Sequence, residues 1–325
     1  MPMSGMELSK DCKLAMFRRI LLCRMFEDRV YYLFLEGKLP GTVHQSQGQE
    51  ATAVGVCAAL RAGDIITSTH RPHSHALARG VPVKGLMAEL FAKTTGCCHA
   101  KGGSMHVGDL SAGMLPAIAI VGGGIPLAAG YALGLQYLKT KNIVACFFGD
   151  GAVNTGAFHE AVNMMAIWNL PVVLVCENNK YGASTSVDKV MKVKHVSDRA
   201  VAYGIPGETV DGYDVESVYH AMLRAAARAR EGLGPTLLEL ETYRFAGHSR
   251  SDPGHYRPPQ EVAAWKQRDP IVVYEQALLA EKILTEEEAG QIKSDIEREL
   301  EEAIQFAVES PSPSPEECLT HVFAD

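Results

Sequence analysis

Residues 143–151 read IVACFFGDG, and residues 172–182 read VVLVCENNKYG. Each stretch opens on an unbroken apolar run, the pattern of a strand buried on both faces. Between them Phe158, Ala161, Met165 and Trp168 recur at helical spacing over 155–168, and Asn169 and Pro171 stop that helix. Strand, helix and strand within about thirty residues make a βαβ unit with two parallel strands. Both strand C-termini then lie on one sheet edge, the edge where open α/β folds bind ligands. Asp150 and Asn179 stand just past those ends, 179 − 150 = 29 residues apart in sequence.

Gly149 and Gly151 flank Asp150. Without Cβ atoms they let the backbone approach a bulky anion and adopt unusual φ values. The helix that follows offers free N–H groups and a positive dipole end, a natural phosphate site. A carboxylate from Asp150 and an amide oxygen from Asn178 or Asn179 suit one hard cation. Mg2+ takes about six oxygens, with phosphate and water completing the set. The spacing therefore predicts a magnesium–diphosphate site. Singly, Gly-Asp-Gly is a turn and Asn-Asn a loop or cap. Their pairing at adjacent strand ends points to a ligand.

Outward from this centre, 9–36 reads as one long helix with Ser9 as N-cap, 48–62 as a small-residue helix and 83–94 as another. Residues 64–68, Val210 and 236–243 read as strands, and 215–231 and 285–308 as helices. The fold class is α/β, a mainly parallel sheet flanked by helices. Residues 1–45 form an N-terminal helical extension, 46–260 the ligand-binding domain, and 261–325 a C-terminal helical extension and tail. The Gly/Pro-rich loop 247–259 is expected to be mobile until ligand binds. Residues 110–138 carry no charge and are long enough to span a bilayer. Pro116, Pro126 and the glycines at 122–124 would break a lipid-exposed helix, so a buried loop and then a buried helix after Pro126 are expected.

Composition removes other classes. The net charge is 31 − 38 = −7 with no basic block, which sets nucleic-acid binding aside. The 8 cysteines form no CxxC pair and read as reduced thiols. Glu7 and Asp11, with no apolar run beside them, argue against a signal or transit peptide, and a cytoplasmic location is expected. Gly122-Gly123-Gly124-Ile125-Pro126-Leu127 lacks the third glycine of a dinucleotide fingerprint, and no G-x-x-x-x-G-K-[ST] occurs. His70, His73 and His75 invite a zinc reading, but no second ligand group accompanies them and Arg71 favours an anion. The Arg-rich face over 224–230 reads as a solvated or interface face.

Gly149-Asp150-Gly151 through Asn178-Asn179 resembles the thiamine-diphosphate signature. Gly48-Gln49-Glu50-Ala51, Thr69-His70-Arg71, the stretch 101–106 (KGGSMH), Ile120-Val121-Gly122-Gly123-Gly124, Val210-Asp211-Gly212 and the stretch 243–253 (YRFAGHSRSDP) extend the likeness. Together they resemble the alpha subunit of the decarboxylating, thiamine-dependent component of 2-oxo acid dehydrogenase complexes, of the pyruvate and acetoin types. The resemblance implies the thiamine-diphosphate-binding fold, with thiamine diphosphate and Mg2+ as cofactors. It implies that Asp150, the Asn179 side chain and the Tyr181 carbonyl hold Mg2+. Gly151 and Ala152, following Gly149, would donate backbone N–H groups to the diphosphate. Arg71 and His248 would contact its oxygens, with His70 beside them. Ala119 and Val121 would meet the aminopyrimidine ring through backbone atoms. His44 would face the substrate and, like His248, count as catalytic.

The resemblance further implies cleavage of a carbon–carbon bond in a 2-oxo acid such as pyruvate, or in acetoin, with the cofactor as electron sink. The acyl fragment would pass to a lipoyl acyltransferase. A beta subunit would supply the carboxylate for the pyrimidine ring, which predicts an α2β2 heterotetramer. Two features depart from the family pattern: Pro116-Ala117-Ile118-Ala119 replaces a Gly/Asn-rich run, and His70 stands where the pyruvate type often has Tyr. A transketolase-like half-subunit and a non-catalytic scaffold are the alternatives.

Overall fold

The computed structural model describes residues 8–320 together with 322 and 323. Glu7, on which the expectation of no leader partly rests, lies outside the described residues. In chain order the elements are α1 (Lys10–Leu35), α2 (Glu50–Ala58), β1 (Ile65–Thr67), α3 (His73–Arg79), α4 (Val83–Leu90), α5 (Gly124–Tyr137) and β2 (Val144–Gly149). There follow α6 (Gly156–Ile167), β3 (Val172–Asn178), β4 (Tyr181–Gly182), β5 (Thr185–Ser186), β6 (Gly207–Asp211), α7 (Val215–Arg230), β7 (Thr236–Glu241), α8 (Pro259–Lys266), α9 (Pro270–Ala280) and α10 (Glu286–Glu309).

Five strands form one sheet in the order β1-β2-β3-β7-β6, and every pair in it is parallel. β4 and β5 make a separate antiparallel hairpin. The two apolar runs that open the sequence reading are β2 and β3, paired from Val144↔Val172 to Gly149↔Glu177. Their side chains alternate between two cores. Ala145, Phe147, Val173 and Val175 face the larger one, which draws on α1, α2, α3, α4, α7, α9 and α10. Val144, Cys146, Phe148, Val172, Leu174 and Cys176 face a second core, shared with α5 and α6. Burial on both faces explains the unbroken apolar runs. Each fully buried Val, Leu or Phe contributes about 1.5–3 kcal/mol.

Helix ends follow the capping signals. Ser9 Oγ accepts from Cys12 N at the start of α1, and Thr285 and Glu288 form a reciprocal capping box on α10. Asp64 is fully buried; it binds Arg230 through both carboxylate oxygens and accepts from the Arg61 and Ile143 backbone N–H groups. Arg230 is thus a structural anchor, a correction to its reading as part of a solvated face; Arg224, paired with Glu208, does lie exposed.

Three other expectations change. α5 starts at Gly124, so Pro126 falls in its first turn, where its missing N–H costs nothing. It is only half buried: Ile125, Ala128, Ala129 and Ala132 pack inward, while Leu127, Tyr131, Leu133 and Tyr137 are exposed. Among the described residues no helix is long and apolar enough to cross a membrane. A 3-10 turn over Asp150–Asn154 precedes α6, so the N–H groups next to Asp150 belong to that turn. All 8 cysteines are free thiols.

Candidate cofactor site

The C-terminal ends of four parallel strands deliver the site. β1 runs into Ser68-Thr69-His70-Arg71, β2 into Asp150, β3 into Asn179, and β7 into Tyr243-Arg244. They border a cavity of about 360 Å³ lined by Gln49, Arg71, Asp150, Asn179, Arg244 and His248, among others. Of the residues expected from sequence, His70, Arg71, Val121, Gly149, Asp150, Gly151, Ala152, Asn179, Tyr181 and His248 line it. Ala119 does not, although its neighbours Ile118 and Ile120 do. His44 sits one layer back, its ring edge-on to His70 at 4.9 Å and to His248 at 5.0 Å between centroids.

The cavity floor is shaped for something bulky. Gly149 has φ −91°, and neither it nor Gly151 has a positive φ, so the expected unusual backbone is absent there. The glycines matter for space: a Cβ on Gly149 would meet nothing nearer than 4.0 Å, and one on Gly151 only Gly182 Cα at 3.5 Å. Gly122, also on the wall, does need glycine, with φ +82° and a Cβ that would fall 2.6 Å from Thr155 Oγ1.

Electrostatically the cavity calls for both an anion and a cation. Burial, then the neighbouring Arg244 charge, pulls Arg71 down to about 9. Arg244 is lowered as well, chiefly by burial. Two guanidinium groups in one cavity favour an anionic ligand. Burial first, and then Arg71, lowers His44 to about 3 and His70 to about 2; the same causes lower His248 to about 4. All three imidazoles are neutral near pH 7. Their nitrogens lie within 4.8 Å of one another, close enough to chelate, but the adjacent Arg71 and Arg244 oppose a cation at that end. Asp150 is the counterpart: burial raises it to about 6, and its Oδ2 is buried without a hydrogen-bond partner. A cation beside Asp150 would relieve that cost.

His70, His73 and His75 do not converge. His73 bridges Glu27 and Ser104, and His75 bridges Ser68 and Glu177, while His70 alone turns to the cavity. The loop after Gly247 is held in place. Arg71 Nη2 donates to the His248 carbonyl at 2.9 Å, and Asp252 accepts from the His248 N–H at 2.6 Å and from Tyr256 Oη at 2.7 Å.

Sequence reasoning assigned no role to Gln49 or Arg244, though both lie within quoted motifs. Arg244 is 1% exposed and donates to the Ala183 carbonyl and to Tyr256 Oη. The available signal for Arg244 was an arginine directly following a buried strand on the ligand-binding edge. Gln49 carried no such signal, because it precedes α2, far from the βαβ unit.

The fit between residues and ligand is consistent. Asp150 Oδ2, Gln49 Nε2 and His44 Nδ1 are all buried and without a hydrogen-bond partner. The glycines flanking Asp150 leave room beside its carboxylate, and the donor set of one carboxylate, one amide and backbone oxygens suits a hard cation.

The profile of the dehydrogenase E1 component family matches residues 18–316. The alpha subunit of acetoin:2,6-dichlorophenolindophenol oxidoreductase from Bacillus subtilis (strain 168) is 47% identical over 320 residues, 98% of this chain and 96% of the relative. The alpha subunit of the pyruvate dehydrogenase E1 component from Porphyra purpurea is 41% identical over 325 residues, 98% of this chain and 94% of the relative. The acetoin:2,6-dichlorophenolindophenol oxidoreductase alpha subunit of Cupriavidus necator is 41% identical over 321 residues, 98% of this chain and 96% of the relative.

Proposed function

The chain belongs to the dehydrogenase E1 component family, and on that premise we propose that it is the alpha subunit of a thiamine-diphosphate- and Mg2+-dependent enzyme acting on pyruvate or a related 2-oxo acid, or on acetoin. The observation that carries this reading is the cavity at the strand ends, with its unpartnered Asp150 Oδ2, its open glycine floor and its two buried guanidinium groups. Asp150, the Asn179 side-chain oxygen and the Tyr181 carbonyl would hold the metal. The Gly151 and Ala152 N–H groups would bind the diphosphate together with Arg71 and His248, and His70 lies alongside. Val121 and the neighbouring Ala119 would meet the pyrimidine end. All of the cavity lining falls within residues 46–260, which would form the cofactor-binding domain, with helical extensions on either side.

When bound, thiamine diphosphate supplies the electron sink for breaking a carbon–carbon bond beside a carbonyl. The chain's own residues orient and shield. Arg71 and Arg244 offset phosphate charge. His44 and His248 present neutral imidazoles at pH 7, each able to accept a proton at one ring nitrogen and donate from the other.

The cavity is bordered by exposed apolar residues. Ile120 and Val121 are 74% and 55% exposed and run on to Leu127, Tyr131 and Leu133 of α5. This surface supports a beta subunit closing the site. The proposed reading also includes an α2β2 assembly, a lipoyl acyltransferase that receives the acyl fragment, and a cytoplasmic location. The deciding experiment is native mass spectrometry of the protein purified from its own source, followed by pyruvate and acetoin assays. A heterotetramer that carries thiamine diphosphate and Mg2+ and turns over either substrate supports the reading. A transketolase-like enzyme would transfer ketol units from sugars instead, and a scaffold would carry no cofactor.

A further inference from the structure

We propose that Gln49 is the positioning residue that sets the orientation of the Asn179 amide and supplies one further donor to the metal–diphosphate group. The inference rests on the cofactor reading above and extends it to a residue with no assigned role. Asn179 Nδ2 donates to Gln49 Oε1 at 3.0 Å. With its nitrogen so engaged, Asn179 Oδ1 is the atom left for a cation, and it already accepts from Tyr181 N at 3.3 Å. An amide turned the other way would present a donor to the metal and would bind none.

Gln49 is itself fixed. It is 2% exposed, its N–H donates to the Ser46 carbonyl at 2.9 Å, and its carbonyl accepts from Thr52 Oγ1 at 2.7 Å. Its Oε1 is committed to Asn179, so its Nε2 is the remaining donor. That nitrogen is buried without a partner, on a side chain that lines the cavity. A buried donor left unpaired costs folding free energy. An acceptor oxygen brought in with the ligand, on the diphosphate or on a water of its cation, would relieve that cost. The chain Tyr181 N, Asn179, Gln49, ligand oxygen then gives both the oxygen and the nitrogen of each side-chain amide a partner. Removing an outer partner of a metal ligand weakens metal binding by about 10- to 100-fold.

The test uses the full chain with its co-purifying partner and follows Mn2+ binding by electron paramagnetic resonance in the presence of thiamine diphosphate. Gln49→Leu should weaken Mn2+ binding by about 10- to 100-fold. Gln49→Glu keeps an acceptor for Asn179 but loses the donor. It should hold Mn2+ more tightly than Gln49→Leu while binding thiamine diphosphate more weakly than the native protein. Gln49→Met replaces the leucine variant if that one does not fold, judged by near-ultraviolet circular dichroism. Native-like Mn2+ affinity in Gln49→Leu overturns the inference, as does a Gln49→Glu protein that loses Mn2+ as fully as Gln49→Leu. Asp150→Ala separates the levels. If it abolishes Mn2+-dependent cofactor binding while Gln49→Leu has no effect, only the positioning role falls. If it too binds normally, the cofactor reading falls with it.

Discussion

Arg71 and His248 lie 177 residues apart in sequence, and the Arg71 guanidinium donates to the His248 carbonyl at 2.9 Å while its other arm donates to the Gln45 carbonyl at 2.5 Å. One buried cation thus ties the segment carrying His44 to the loop carrying His248, at the mouth of the cavity. The loop after Gly247 is latched to the rest of the chain by Arg71 and by Arg250, whose N–H donates to the Val43 carbonyl at 3.0 Å and whose Nη1 donates to Gln45 Oε1 at 3.2 Å. Arg71→Ala should unlatch it. Trypsin should cut after Arg250 several-fold faster than in the native protein, and thiamine diphosphate affinity should fall as well. Unchanged cleavage would show that the Arg250 contacts to the Val43 carbonyl and Gln45 Oε1 hold the loop without Arg71.

Asp150 has a cost that binding is expected to relieve. Its carboxyl is buried and raised to about 6, so at pH 7 it is ionised at the folded state's expense. Asp150→Ala should leave the thermal midpoint of the cofactor-free protein equal or higher. It should also remove the rise in midpoint that thiamine diphosphate with Mg2+ produces in the native protein. Differential scanning fluorimetry reads both, and a retained cofactor-induced rise would sink the metal assignment.

The three cavity histidines predict the direction of acid sensitivity. Their folded values, about 3, 2 and 4, lie below the ordinary 6.5 of the unfolded chain. Below pH 6.5 the unfolded chain therefore binds more protons, and stability falls with pH through the window from 6.5 toward 4. Asp150 acts oppositely between about 6 and its ordinary 3.8, because there the folded state holds the extra proton. Replacing one histidine isolates the effect. His70→Gln should flatten the pH dependence of urea midpoints between pH 6.5 and 4.5 relative to the native protein; an identical slope would contradict the depressed value.

Asp64 and Arg230 form a buried bidentate pair joining the entry to β1 with the end of α7. Removing the carboxylate leaves the Arg230 guanidinium with only the Lys141 carbonyl and strands two backbone N–H groups, so Asp64→Ala should cost about 3–5 kcal/mol of folding stability. Chemical denaturation measures it. Far from the cavity, this variant should leave cofactor affinity per folded molecule unchanged.

Much of this was written locally. β2 and β3 were legible because a strand covered on both faces must be apolar at every position, and α6 because its inward residues recur at helical spacing. α1 declared its start through Ser9. α8 escaped notice because no residue in it is buried, so it has no apolar stripe to see. α3 was hidden by His73, His75 and Arg79, polar residues that pair with groups distant in sequence: Glu27, Glu177 and the Asp64 carbonyl. Half of α5 is apolar yet exposed, and hydrophobicity alone cannot tell a core face from a face that awaits another chain.

The sequence by itself determined the parallel α/β core and the pairing of Asp150 with Asn179, since buried strands and their ends are properties of short contiguous runs. Only the tertiary structure decided which distant groups meet there. Gln49, Arg71 and the pair Arg244 and His248 come from three separate loops, and nothing local encodes their convergence. Their meeting depends on strand order and on how α2 and the loop after β7 pack across the sheet edge. The same packing leaves Asp150 Oδ2 and Gln49 Nε2 unpartnered in the cavity, and the physical case for a bound metal–diphosphate group rests on those two atoms together with the guanidinium groups opposite them.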